Sequence, residues 1–337
     1  MRSYHVDSGA GIDGLTVRQC EKPEPGPGQV VVAVRAAALS YRELLVLAGD
    51  YVLPVKPDVV PVAEGAGQVV AVGAGVGTVR VGDRVAANVF PSWQDGPFGV
   101  EHLAQLGGSL DGMLTEFALL DEHAVVPVPD HLSYVEAATL PCAALTAWNA
   151  LTGDGGAGVR PGETVVTLGS GGVSLFALQL AKALGARVIA TTSSPEKARR
   201  LRELGADAVI DYRKEPDWAS RVRELTGGRG ADRIVDVVGN LAQSLAAVKI
   251  AGQVACVGFV SADVPPLDPR LLFGSGAAVR PLAVGSRAQF AAMNRVLAEH
   301  AIHPVVDRVV AFDDAPAAFR HYASGAAFGK VVIAVGD

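Results

Sequence analysis

Three glycines, Gly169, Gly171 and Gly172, stand between a short apolar run, residues 164–168, and an alanine- and leucine-rich segment with helical spacing, residues 175–184. That order is strand, tight turn, helix. A second apolar run, residues 187–191, follows Gly185 and completes the length of a βαβ crossover. Gly169 lets the chain leave the strand sharply, and Gly171 lets the backbone come close to a pyrophosphate. A helix starting near Val173 aims its N-terminal amides and the positive end of its dipole at the anion. Ser174 takes the third small position, where Gly or Ala is usual, and its hydroxyl either touches the pyrophosphate or caps the helix. The chemistry this spacing serves is the binding of a dinucleotide.

An NAD site places a carboxylate at the end of the second strand, about 20 residues after the glycines, to bind the ribose hydroxyls. Thr192 holds that place here. A carboxylate would repel a 2′-phosphate, whereas Ser193, Ser194 and Lys197 offer it hydroxyls and a cation, so the sequence predicts NADPH. Ser194 is also placed to cap the next helix before Pro195, and Lys197 to be a solvated charge; either role is compatible with phosphate binding.

The elements that must position these residues alternate along the middle of the chain. Further strands are expected at 208–210, 233–238, 252–257 and 278–284, with helices at 218–225 and 241–248, the pattern of a doubly wound parallel sheet. Before it, residues 1–129 read as β-rich. Strands are expected at 29–35, 64–72, 84–87 and 114–119, separated by turn-prone Gly, Pro and Asp residues. A short helix over 40–48 offers Leu44, Leu45 and Leu47 as a buried face, and Tyr51 follows directly. Ser133 and Glu136 form a capping box for a helix over 134–151. After the sheet come a helix over 287–300 with Phe290, Met293 and Leu297 on one face, a strand at 305–312, a helix over 315–323 and a strand at 330–335.

Composition narrows the class. A chain of 337 residues, 50% hydrophobic and 19% charged, has ample core for two domains. Its formal net charge of -6 argues against a general grip on nucleic acid. Residues 1–10 lack the basic start and apolar core of a secretory signal, and the uncharged run 164–181 is broken by glycines, so neither a leader nor a membrane span is expected. Cys20, Cys142 and Cys256 are widely separated, which excludes a disulfide framework and fits a reducing cytoplasm.

Nearly the full length resembles the medium-chain dehydrogenase/reductase superfamily, in particular its zinc-free, quinone oxidoreductase-like branch. The residues that carry the resemblance are Leu39-Ser-Tyr-Arg-Glu-Leu-Leu, Ala48-Gly-Asp-Tyr51, Glu64-Gly-Ala-Gly, Val79-Arg-Val-Gly-Asp-Arg-Val, the stretch 137–148, residues 169–185, Gly285-Ser-Arg and Gly329-Lys-Val-Val-Ile. The resemblance implies a GroES-like β-barrel catalytic domain made of residues 1–129 and 285–337, into which a Rossmann dinucleotide-binding domain, residues 130–284, is inserted, with the active site in the cleft. It further implies that Thr146, the Val238–Gly239 turn and Phe259 flank the nicotinamide. Tyr212 falls where similar reductases have a tyrosine beside the adenosine phosphate, and equally where a half-buried core tyrosine would sit.

Zinc-dependent relatives hold their metal with a Cys, a His and a second Cys. Ser40 stands at the first position, Ala63 at the second, and only Cys142 matches the third, so no metal is expected. Without a Lewis acid, hydride addition to a quinone or an α,β-unsaturated carbonyl is easier than reduction of an isolated ketone, because charge spreads over an enolate that hydrogen-bond donors can hold. Tyr51 is the first candidate donor, since related alkene reductases carry a tyrosine after a similar step; Tyr41 is a weaker one, and Ser40 replaces the Asn of the similar motif. The competing readings are a zinc-independent alcohol dehydrogenase or carbonyl reductase, and a nucleotide-binding regulatory or RNA-binding protein without turnover. A homodimer through the exposed strand edge at 278–284 is expected, with Pro281 limiting the pairing.

Overall fold

Valine and alanine at nearly every position of Gln29–Ala38 produce a strand buried on both faces, and the first half of the chain is assembled along it. The computed structural model describes residues 1–153, 158–260 and 266–336. The chain forms two units, Met1–Leu145 with Val284–Asp337, and Thr146–Ala283.

In the first unit, Gln29–Ala38 pairs antiparallel with Glu64–Val72 on one side. On the other it pairs with Phe117–Asp121 along its first half and with Lys330–Ala334 at its end. The sheet of seven strands continues through Arg84–Ala87 and Val125–Pro127 at one end and the parallel strand Val306–Ala311 at the other. This register sets Glu64 opposite Ala38 and starts the last strand at Lys330, so residues far apart in sequence meet where the helix Tyr41–Ala48 begins. The strand expected at 114–119 lies at Phe117–Asp121 instead. Residues 114–116 bond the N-terminal strand Arg2–His5, the Leu114 carbonyl accepting from the Tyr4 amide and the Glu116 amide donating to the Arg2 carbonyl.

The helix expected over 134–151 is broken. Tyr134–Ala137, with its Ser133–Glu136 capping box, is followed by a π-helical turn, Leu140–Ala144, and only then by Leu145–Thr152. Pro141 has no amide to donate, so the turn widens there, and Cys142 sits within it. The helix Arg287–Glu299 buries Phe290, Met293 and Leu297 and starts with a second capping box, Ser286 and Gln289.

The second unit is a six-stranded parallel sheet in the order 208–211, 187–192, 164–167, 231–236, 248–256, 278–281. The order reverses beside Thr164–Thr167, which places the glycine turn at the topological switch point. Val166, Ile189, Ile210, Ile234 and Val254 are buried in its core, with Trp218 and Val222 from the helix Trp218–Leu225 against them. The last strand ends at Pro281 and not at residue 284, with the Leu282 amide still donating to the Cys256 carbonyl at 3.1 Å. The helix Pro269–Ser275 had no sequence signal strong enough to place it. The fold is thus a Rossmann-type sheet joined to a GroES-like β domain. Among the described residues, no helix is long and apolar enough to cross a membrane.

Candidate functional site

The helix Tyr41–Ala48 does not bury the leucine face expected of it. Arg42, Glu43, Val46 and Leu47 turn inward, while Leu44 and Leu45 are half-exposed. The buried charges are compensated. Glu43 accepts from the Val62 and Ala63 amides, both at 3.2 Å, from Arg42 Nη1 at 2.8 Å and from the Ser40 hydroxyl at 3.4 Å. Arg42 Nη2 donates to Gln105 Oε1 at 2.6 Å and to the Gly107 carbonyl, and the guanidinium lies 4.7 Å from the centre of the Tyr51 ring. Burial is the largest single influence and works against this charge, but the Glu43 carboxylate and Tyr51 together outweigh it and the Arg42 pKa is raised. Glu43 also holds the amide of Val62, whose φ of 72° is costly for a β-branched residue and sits directly before Ala63 and Glu64.

A second buried pair lies next to the first. Lys330 Nζ donates to Glu64 Oε1 at 2.8 Å and to the Leu39 carbonyl at 2.6 Å, with side-chain exposures of 2% and 0% for the lysine and the glutamate. Burial pushes the Glu64 carboxyl up to about 7, the charge of Glu43 adding to the push and Lys330 pulling it back. Burial, with the charge of Glu64, pushes the Cys142 thiol up to about 12, and burial likewise raises Tyr322. Tyr41 is half-buried at the first position of the helix, and Ser40 precedes it without capping it.

These residues do not make a zinc-ligand set. Ser40 gives its hydroxyl to Glu43, Ala63 has no donor atom, and Cys142 is left as the single soft ligand of the three positions, while the Glu64 carboxylate carries the ammonium of Lys330. Among the described residues, no three His, Cys, Asp or Glu side chains come together as a metal-binding group.

In the second unit the glycine turn forms an open cradle. Gly169 has φ 79°, and a Cβ built at Gly169 or Gly171 would meet nothing within 4 Å. Gly171 precedes the helix Gly172–Ala183 and gives it no side-chain cap, so the amides of Gly172, Val173 and Ser174 have no capping oxygen. An uncapped helix start above open glycine backbone is the shape a pyrophosphate fits. The Ser174 hydroxyl is buried and donates to the Leu168 carbonyl at 2.7 Å, tying the first helical turn to the strand end instead of capping the helix. Gly169 N–H donates to the Thr191 hydroxyl at 3.0 Å, joining the cradle to the second strand.

That second strand, Arg187–Thr192, ends in a buried Thr192 whose hydroxyl has no partner. Ser193 and Ser194 follow, half-exposed. The Ser194 hydroxyl accepts from the Lys197 amide and caps the helix Pro195–Glu203. The Tyr212 amide donates to the Thr192 carbonyl at 3.0 Å, with the ring partly exposed. Val238 and Gly239 follow Ala231–Asp236, and their amides donate to the Asp236 carboxylate. Phe259, half-exposed after Val248–Cys256, has its Cα 3.3 Å from where a Gly239 Cβ would stand. Thr146 is buried near the start of Leu145–Thr152. The predicted cofactor residues other than Thr146 therefore gather at the C-terminal ends of parallel strands, where such sheets bind ligands. Arg42, Glu43, Lys330 and Asp236 were given no role from sequence. Their only signal there was a charge inside an otherwise apolar element.

Comparison with known proteins agrees with this geometry. A family model for the alcohol dehydrogenase GroES-like domain matches residues 26–130, and one for zinc-binding dehydrogenase matches residues 172–299. A zinc-type alcohol dehydrogenase-like protein of Schizosaccharomyces pombe is 40% identical over 98% of this chain and 97% of its own. A quinone oxidoreductase of Pseudomonas aeruginosa is 38% identical over 68% of this chain and 64% of its own. Among solved structures, an NAD-dependent alcohol dehydrogenase aligns with TM-score 0.89 and 34% identity over the whole of both chains. A mycobacterial protein complexed with NADPH aligns with TM-score 0.82 and 30% identity over 99% of this chain and 100% of its own. The chain belongs to the medium-chain dehydrogenase/reductase superfamily. It is an oxidoreductase of that family, and its cofactor is a nicotinamide dinucleotide.

Proposed function

We propose that the protein is an NADPH-dependent reductase of quinones or α,β-unsaturated carbonyls that works without zinc. The observation that carries this reading is the fate of the metal-ligand positions: a hydroxyl committed to Glu43, a methyl group, and one lone thiol. With no Lewis acid to polarise an isolated carbonyl, the reaction best served is one whose negative charge delocalises. NADPH in place of NADH is supported by Thr192, where a carboxylate would repel the 2′-phosphate, and by Ser193, Ser194 and Lys197 beyond it.

When bound, NADPH supplies a hydride. The glycine cradle would hold its pyrophosphate, and the Val238–Gly239 turn, Phe259 and Thr146 would border its nicotinamide. Addition of the hydride to the β-carbon leaves an enolate oxygen that needs a donor and then a proton on carbon. Tyr51 is assigned the hydrogen bond to that oxygen, with the Arg42 guanidinium against its ring fixing the phenol, and Tyr41 and Ser40 stand as further polar groups of the same region. The alternative is a zinc-independent alcohol dehydrogenase or carbonyl reductase, in line with the name of the Schizosaccharomyces relative. NADPH consumption against panels of quinones, enones and aldehydes separates the two, and turnover confined to aldehydes or alcohols would overturn the first.

A homodimer is part of the proposal. Among the described residues, the strand Ala278–Pro281 is paired on one side only, by Val248–Cys256. Ile250 and Phe273, 77% and 90% exposed, lie close to that edge, Ile250 packing at Gly276 just after the Phe273 helix. A second copy covering this patch would remove both the free edge and the two exposed apolar side chains from water.

A further inference from the structure

Asp236 ends the strand Ala231–Asp236 and is fully buried, yet among the described residues no lysine or arginine is bonded to its carboxylate. Its two oxygens are used on the chain itself. Oδ1 accepts from the Val238 and Gly239 amides at 2.9 and 2.8 Å, and Oδ2 accepts from the Ser244 hydroxyl at 2.7 Å. Its backbone carbonyl accepts from the Val257 amide at 2.8 Å and the Gly258 amide at 3.3 Å, and the neighbouring Val237 carbonyl accepts from Val260 at 3.4 Å. One residue therefore fastens two loops, 237–240 and 257–260, that leave adjacent strands at the same end of the sheet. The loops also touch, because Gly239, with φ 91°, brings its backbone against Phe259 where a side chain would not fit comfortably.

We infer that Asp236 is a positioning residue for the nicotinamide half of the cofactor site, acting on loops 237–240 and 257–260 separately from the glycine cradle. The inference rests on the nicotinamide reading of Val238, Gly239 and Phe259 given above. The cradle at Gly169–Ser174 and the Thr192–Lys197 segment are built on the other side of the same strand array and share no hydrogen bond with the Asp236 carboxylate. Loss of the carboxylate frees loop 237–240, and with it the Gly239 backbone against which Phe259 rests, while the bonds from the Asp236 backbone carbonyl to Val257 and Gly258 and the adenosine-phosphate contacts stay in place.

The test compares two ligands on Asp236→Ala, Asp236→Asn and Ser244→Ala: NADPH, whose nicotinamide fluorescence reports its binding, and adenosine 2′,5′-bisphosphate, which has no nicotinamide. Asp236→Ala is expected to weaken NADPH by about tenfold or more, since it removes hydrogen bonds to a charged acceptor, and to leave the bisphosphate within about twofold. Asp236→Asn is expected to restore most of the loss, its amide oxygen still accepting from the two loop amides while its NH₂ donates to a turned Ser244 hydroxyl. If Asp236→Ala does not fold, Ser244→Ala carries the test, with the same pattern at about threefold. Equal weakening of both ligands would mean a general structural defect and overturn the inference, as would unchanged NADPH binding. A wild-type protein that binds the bisphosphate but shows no nicotinamide signal would overturn the reading of the loops, and this inference with it.

Discussion

Gly171 has φ -79° and ψ 175°, angles any residue adopts, and nothing lies within 4 Å of where its Cβ would be. An added methyl therefore strains nothing in the protein and occupies only the space assigned to a pyrophosphate. Gly171→Ala is expected to unfold at the wild-type temperature while binding NADPH at least about tenfold more weakly; calorimetry and fluorescence titration on one preparation check both parts. Glu64 makes a prediction of a different kind. The fold raises its carboxyl from 4.5 to about 7, so the stability this group contributes is fully present below about pH 4.5 and is lost as pH rises through about 7. In urea unfolding, the stability of wild type relative to Glu64→Gln should fall as pH is raised from about 5 to about 7.5. A difference that stays flat or grows would show that Lys330 holds the carboxylate ionised throughout.

At the level of elements, the proposed preference for NADPH rests on the end of the strand Arg187–Thr192. Thr192→Asp puts a carboxylate at the ribose position, and the ratio of kcat/KM for NADPH over NADH should drop by about a hundredfold; an unchanged ratio would remove Thr192 from the specificity account. The strand, its turn and the helix after it were legible in sequence because strand patterning, glycine spacing and helical periodicity all agree there. The helix Tyr41–Ala48 was legible in extent but not in orientation. Periodicity counts Leu44, Leu45 and Leu47, whereas the buried face is set by Glu43 bonding Val62 and Ala63, and by Arg42 bonding Gln105 and Gly107. Partners that distant in sequence leave no local pattern. Lys330 and Asp236 were hidden for the same reason, each a charged residue at the end of an apolar strand whose partners come from elsewhere in the fold. The break at Pro141 was visible as a proline, but the apolar spacing around it favoured one continuous helix.

On the scale of the whole molecule, two expectations remain to be measured, association and chemistry. The exposed Phe273 and Ile250 beside the edge strand are the basis of the proposed dimer, and Phe273→Glu should convert it to monomer in light scattering with secondary structure unchanged. A wild type that is already monomeric, or a variant that stays dimeric, would place any interface elsewhere. The central claim is that this member of a family with zinc-dependent branches moves hydride without a metal. Its most direct test is the initial rate of NADPH oxidation with an enone or quinone, measured on protein stripped by exhaustive chelation and assayed for zinc in the same sample. The account predicts a full rate at zinc far below one equivalent. A rate that vanishes with the metal and returns on adding zinc would contradict it.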